Sequence, residues 1–541
     1  MELQRQLQCF SEFYLNKEVQ YNSLKLKYLE RDFSYSDANK LAQYKELRHL
    51  SLLVQSTSSY KALDLASSIK ELNYLEDLQL NLKLWLNQFT YHKQSMFCYM
   101  GNLNNLKVLK LNIELNEASN LYKQEIFKQF TQQVSLLNSL EILKVCFKGY
   151  DIWNEQLTQF AKQIVKLINL QSIKLDFSKN EINNVGFQQI VSCLQKYPNL
   201  HALSLIFEEN QIGDEGLLSL SQQVSQIPNL LKLKICLNNN FIKNQSLNPF
   251  IFSVSQCFQL QVLVLKFKKN CIQKINQSLL NEESNKIGYL QNLKKLNLDF
   301  SDMFLESNDI SLLTNFISQI SELKQLNLQF NQSSLSNLSL FELGSILEKI
   351  KSISEFTFSA SNSLFTENGI QSLGEALSKC TLLKTVKIFV QKNNIDQQGV
   401  CQLIQSVFQL PLLSCLHLQL DFPEKICLET LSDELLKSKN LKTFSISLQG
   451  FLNKDLYDDG LKIIAKGLAG CQSLNNLTLL LNKSQYTEQG LKVLPNCINQ
   501  LKNLNYFKIQ SRPSIKLLQN QKNIFSRQFQ KSRRLVAFEL C

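Results

Sequence analysis

The stretch "LQSIKLDFSKNEINNVGFQQIVSCLQKYPN", Leu170 to Asn199, is followed at once by "LHALSLIFEENQIGDEGLLSLSQQVSQIPN", Leu200 to Asn229. A chain that repeats itself at this interval stacks one small unit on the next, and each unit contacts its neighbours alone. The pattern LxxLxL that opens these copies recurs from Leu47 to Leu535 in seventeen copies, spaced by 28 to 34 residues and most often by 30. A degenerate eighteenth copy is expected at "YNSLKL", Tyr21 to Leu26. The length of 541 residues would otherwise predict three or four domains, but a stacked array grows without splitting.

Within one copy, Ile173 to Phe177 alternates apolar and polar, which predicts a strand with one buried face. "SKNEI" reads as a turn. Phe187, Ile190, Val191 and Leu194 then fall at helical spacing, and Pro198 closes the helix before the next strand. A glycine stands sixteen residues after the first position in several copies, at Gly186, Gly216, Gly369, Gly399 and Gly490. Neither face of such a unit is covered until copies stack, giving a parallel sheet on one side and helices on the other.

These motifs resemble the leucine-rich repeat family, and within it the long-repeat subfamily of the cytosolic ribonuclease inhibitor. The LxxLxL blocks, the helix-start glycine, and the asparagines of "KNEI" (Asn180, Ile182), "ENQI" (Asn210, Ile212) and "KNNI" (Asn394, Ile395) carry the likeness. It implies an α/β solenoid, a horseshoe or arc of about 17–18 repeats, with parallel strands on the concave face and helices on the convex face. The family pattern places its Asn two residues nearer the strand. Here the added pair keeps strand parity and puts Phe177 in an extra inward position. Residues 1–46 are expected to cap the array, with Phe10 to Leu15 packing on the first full repeat, and 47–541 to form it. Leu535, Phe538 and Leu540 predict a last strand with no helix to cover it.

Catalytic signatures are missing: there is no Walker loop, GxGxxG, HExxH, GxSxG or kinase catalytic loop. His49, His92, His201 and His417 fall in different repeats, which argues against a shared metal. Cys257, Cys380 and Cys471 share with Tyr197, Ile227 and Leu410 a core place three residues before the repeat's first position. Cys146 and Cys236 are expected on the exposed sheet face, where they would be accessible thiols. Asp214, Glu215, Asp458 and Asp459 read as caps at helix N-termini. Fourteen cysteines without a CxxC pair, no signal peptide and no long apolar run point to a cytoplasmic protein, with the nucleus or a large assembly as alternatives. The most basic run, Arg527 to Leu535, reads as a nuclear-import signal or as a solvated helix face.

The formal charge is +12, and lysine far outnumbers arginine in the manner of an AT-rich genome, which weakens arguments from lysine counts alone. Position tells more than number. Side chains between the buried strand residues face outward, and there Lys110, Lys144, Lys174, Lys232, Lys234, Lys266 and Lys295 outnumber Asp77, Asp176 and Asp299. Beyond Leu323 the same places turn neutral, as at Gln325, Asn327 and Thr357. The expected function is a non-catalytic scaffold that binds another, acidic protein on this face. The expected contact set is Lys174, Lys232, Lys234, Lys266 and Lys295, with Ile206 and Val264 as apolar anchors. A GTPase-activating or other enzyme-regulating role and an RNA- or RNP-binding role are the alternatives. Scarce arginine and the lack of regular stacking aromatics count against RNA. No cofactor, small-molecule substrate or membrane is expected.

Overall fold

The computed structural model of the protein describes residues 23–29, 35–55, 68–85, 97–116, 118–270, 290–303, 307–448, 456–481, 490, 493–510 and 537–540. Phe10 to Leu15, His92, the run Arg527 to Leu535 and most of the expected cap lie outside them. The described residues fall into two compact units, 23–270 and 290–540. Both alternate parallel strands with helices, so each is a strand–helix solenoid.

The first unit holds nine described strands. They start with Ser23–Leu29, His49–Gln55, Asp77–Trp85 and Val108–Asn116, and continue with the five-residue strands Ile142–Cys146, Ser172–Asp176, Ala202–Ile206, Lys232–Cys236 and Val262–Lys266. Each pairs parallel with the next, in a register where equivalent repeat positions stand side by side, as Ile173 beside Leu203 and Leu233. The stack begins before Leu47, because Ser23–Leu29 pairs with His49–Gln55 along its whole length. The second unit repeats the scheme from Lys295–Asp299 to Ala537–Leu540, again with nine described strands in parallel register.

Why the sequence folds this way is visible in one repeat. Leu170, Ile173, Leu175 and Phe177 are all at most 2% exposed, and Phe187, Ile190 and Val191 meet them from the helix Asn184–Ser192. That helix stops earlier than Pro198 implies; a short 3-10 turn, Leu194–Lys196, fills the gap and still buries Leu194. Phe177 occupies the extra inward position and forms an aromatic file with Phe147 and Phe207, at ring separations of 6.1 and 5.5 Å. Each such ring, fully buried, is worth about 1.5–3 kcal/mol.

In four successive repeats of the first unit the turn after the strand is held by a buried asparagine. Asn180 Nδ2 donates to the carbonyls of Phe147, Phe177 and Ser178, while its Oδ1 accepts from the backbone N–H groups of Tyr150 and Ile152. Asn210, Asn240 and Asn270 repeat this bonding. The residue just before each one is left-handed although not glycine: Lys179, Glu209, Asn239 and Lys269 have φ of 55 to 58°. Such backbone costs about 1 kcal/mol per residue, and the asparagine bonds outweigh it. In the second unit serine takes over at Ser333 and Ser363, each hydroxyl donating to a carbonyl of the repeat before. At "KNNI" the bonding residue is Asn393 and not Asn394: Asn393 Nδ2 donates to Ala360 O and Val390 O, both at 2.8 Å. The two adjacent asparagines hid the register in the sequence.

A second file of bonds joins the helix starts. Asn154 Oδ1 accepts from the N–H groups of Asn183 and Gly186 in the following repeat, and Asn184 Oδ1 does the same for Gly213 and Gly216. Asp214 belongs to this file. It accepts from Lys243 N at 2.8 Å and Ser246 Oγ at 2.6 Å, so it caps the next helix and not its own. The glycine is required by the closeness of this contact, since a Cβ on Gly186 would stand 2.5 Å from Asn154 Oδ1 and 3.1 Å from its Cα.

Candidate functional site

Strand register fixes which outward side chains are neighbours. In the first unit three rows cross the strands. The middle row reads Gln79, Lys110, Lys144, Lys174, Ser204, Lys234, Val264. The row two residues earlier on each strand includes Val108, Ile142, Ser172, Ala202, Lys232 and Val262, and the row two residues later includes Asn112, Cys146, Asp176, Ile206, Cys236 and Lys266.

Three consecutive lysines, Lys110, Lys144 and Lys174, therefore stand on adjacent strands about 4.8 Å apart. Among the described residues none of the three is ion-paired with a carboxylate. Lys144 records the consequence: partial burial and then the charges of Lys110, Lys174 and Lys232 hold its ammonium below the usual lysine value. Asp176, the acid of the neighbouring row, accepts from Ser178 N and Oγ.

The expected contact residues are only partly brought together. Lys232, Lys234 and Lys266 form a group on two neighbouring strands, with Val264 half-buried beside Lys234. Lys174 is exposed, but its immediate neighbour is Lys144, and Ser204 separates it from Lys234. Lys295 is exposed on the first strand of the second unit. Ile206 is no anchor: at 8% exposure it is part of the core. In the same row Cys236 is 2% exposed, while Asn112, Cys146, Asp176 and Lys266 are half-buried; Asp299 in the second unit is 6% exposed. The expectation of accessible thiols is thus corrected at Cys236, while Cys146 is half-buried. Burial, reinforced at Cys146 by Asp176, pushes the Cys146 and Cys236 thiols up to about 11, so both stay protonated at neutral pH. Lys110 and Lys144 are absent from the expected set although they belong to the unbroken basic row; their shared place in consecutive repeats, four residues after the first position, was the signal that could have found them.

In the second unit the middle row runs Asn297, Asn327, Thr357, Lys387, His417, Ser445, Thr478, Lys508. Lys387 and His417 are adjacent. Burial first, and the Lys387 charge second, bring the His417 imidazole down to about 4, so it is neutral above that. Apart from Lys387, His417 and Lys508 the residues of this row carry amides and hydroxyls.

The cysteines three residues before the repeat start are core, and they also bond. The thiols of Cys257, Cys380 and Cys471 donate to Val224 O, Leu347 O and Leu435 O of the helix before, as the Tyr197 hydroxyl donates to Ile164 O. His49, His201 and His417 stand on separate repeats. No helix among the described residues is long and apolar enough to cross a membrane.

Comparison of the chain with models of protein families and with curated proteins finds no match.

Proposed function

We propose that this chain is a leucine-rich repeat protein of the long-repeat, ribonuclease-inhibitor-like kind, and that it works without catalysis, as an intracellular scaffold binding an acidic protein on the strand face of its first unit. The family reading rests on the LxxLxL blocks together with the buried asparagine that follows them, as at Asn180 and Asn210. The single observation that carries the binding reading is the unpaired lysine row Lys110, Lys144, Lys174. Three like charges held side by side on a rigid sheet cost folding energy, and that cost is relieved when an anionic surface arrives. Exposed charges each contribute roughly 0–1 kcal/mol to affinity, but together they steer association.

The test is a charge reversal, Lys110→Glu with Lys144→Glu and Lys174→Glu. Proteins captured from the native cell are identified and their association rates measured with purified components. The expected result is a drop in association rate of about tenfold or more at low salt, with a flattened salt dependence. An unchanged rate and salt slope would move the binding surface off this face. A partner that proves to be nucleic acid would replace the scaffold reading with the RNA-binding one.

A further inference from the structure

The lysine row is a ruler as well as a charge. Its members repeat across strands, at about 4.8 Å per step. A partner segment lying along the row must present acids at a matching interval. Same-face side chains recur each turn of an α-helix, at about 5.4 Å, and every second residue of an extended strand, at about 6.8 Å. Over the two steps from Lys110 to Lys174 a helix drifts out of register by about 1 Å and a strand by about 4 Å. The helix therefore asks for the smaller displacement of the lysine stems. The flanks are also unlike. On one side the half-buried side chains of Val108 and Ile142 make an apolar strip beside Lys110 and Lys144; on the other lies Asp176 beside Lys174, which repels an acid displaced that way.

Resting on the binding reading above, we propose that the partner seats an amphipathic acidic α-helix across the strands Val108–Asn116, Ile142–Cys146 and Ser172–Asp176, with acids one turn apart over Lys110, Lys144 and Lys174 and apolar side chains over Val108 and Ile142. The helix supplies the counter-charge that the row lacks. Lys144, whose ammonium is already disfavoured by its neighbours, gains most from it.

The experiment titrates the full chain with three probes by fluorescence anisotropy. One is a helical peptide of about 18 residues with Glu at i, i+4 and i+7 and Leu on the adjoining face. The second has the same composition scrambled, and the third is a single-stranded RNA oligomer. The patterned peptide is expected to bind about tenfold or more tightly than the scrambled one. That advantage should vanish on Lys144→Glu and persist on Lys295→Glu, with thermal unfolding of neither variant lowered. If both peptides bind equally, and both depend on Lys144, the basic face binds acids but the helix inference is wrong. If neither depends on Lys144, both this inference and the basic-face reading are wrong. RNA binding more tightly than either peptide overturns the inference in favour of a phosphate backbone.

Discussion

Asn180 Oδ1 accepts the backbone N–H of Tyr150, one repeat earlier, at 3.0 Å, and does so with the asparagine 8% exposed. One side chain thus satisfies five backbone groups: two N–H donors and three carbonyls. Removing it leaves buried polar groups without partners and leaves Lys179 in left-handed backbone with nothing to hold it there.

Asn180→Ala is therefore expected to cost about 3 kcal/mol, since each orphaned buried group costs about 1–3 kcal/mol and the site relaxes in part. The pair Asn393→Ala and Asn394→Ala is the sharper comparison. The first breaks the bonds to Ala360 O and Val390 O and should destabilise by a similar amount. The second should lie within about 0.5 kcal/mol of the parent. Urea unfolding of both variants measures the difference, and equal effects would mean that the register of this turn is wrong.

The contact of Gly186 with Asn154 predicts strong coupling between two repeats. Gly186→Ala places a Cβ against the Asn154 side chain and backbone, and should destabilise by about 1–3 kcal/mol. Asn154→Ala loses the cap on the next helix, for about 1 kcal/mol, but also clears space for the new methyl. The double variant should be more stable than the sum of the two single losses predicts. Additive values from a double-mutant cycle would show that the two residues do not share this contact.

His417 sets a pH window. Its folded value of about 4 lies below the ordinary 6.5, so between these pH values the unfolded chain binds a proton that the folded chain refuses. Stability is therefore present in full above pH 6.5 and falls as the pH drops toward 4. The shift would correspond to about 3 kcal/mol if undiluted; with partial exposure and solvent screening we expect about 1–2 kcal/mol. His417→Gln should remove this component of the acid loss, read from denaturant midpoints at pH 7 and pH 4.5. An unchanged slope of stability against pH in the variant would place the titrating group elsewhere.

Much of this protein was legible in the order of its residues. The spacing of LxxLxL gave the strands, their parallel order and the buried set, because a side-chain period of two within a 30-residue repeat leaves one way to stack. Phe177 as an extra inward residue followed from the same parity. What the order of residues could not settle was anything that depends on which repeat a side chain reaches. Asp214 reads as a cap for its own helix but spans to Lys243 and Ser246 in the next. Asn393 and Asn394 are equal candidates until the carbonyls of Ala360 and Val390 choose between them. Ile206 and Cys236 alternate outward as exposed residues should, yet both are buried. Lysine positions were readable too, and so was the order of the strands that carry them; how far each lysine is buried was not. Lys110, Lys144 and Lys174 are separated by 34 and 30 residues, the same intervals as the starts of their repeats, and strand pairing sets them side by side. Periodicity is a local property that the sequence carries in full; proximity between repeats is set by hydrogen-bond register and by the path of each turn, and those exist only in the folded chain.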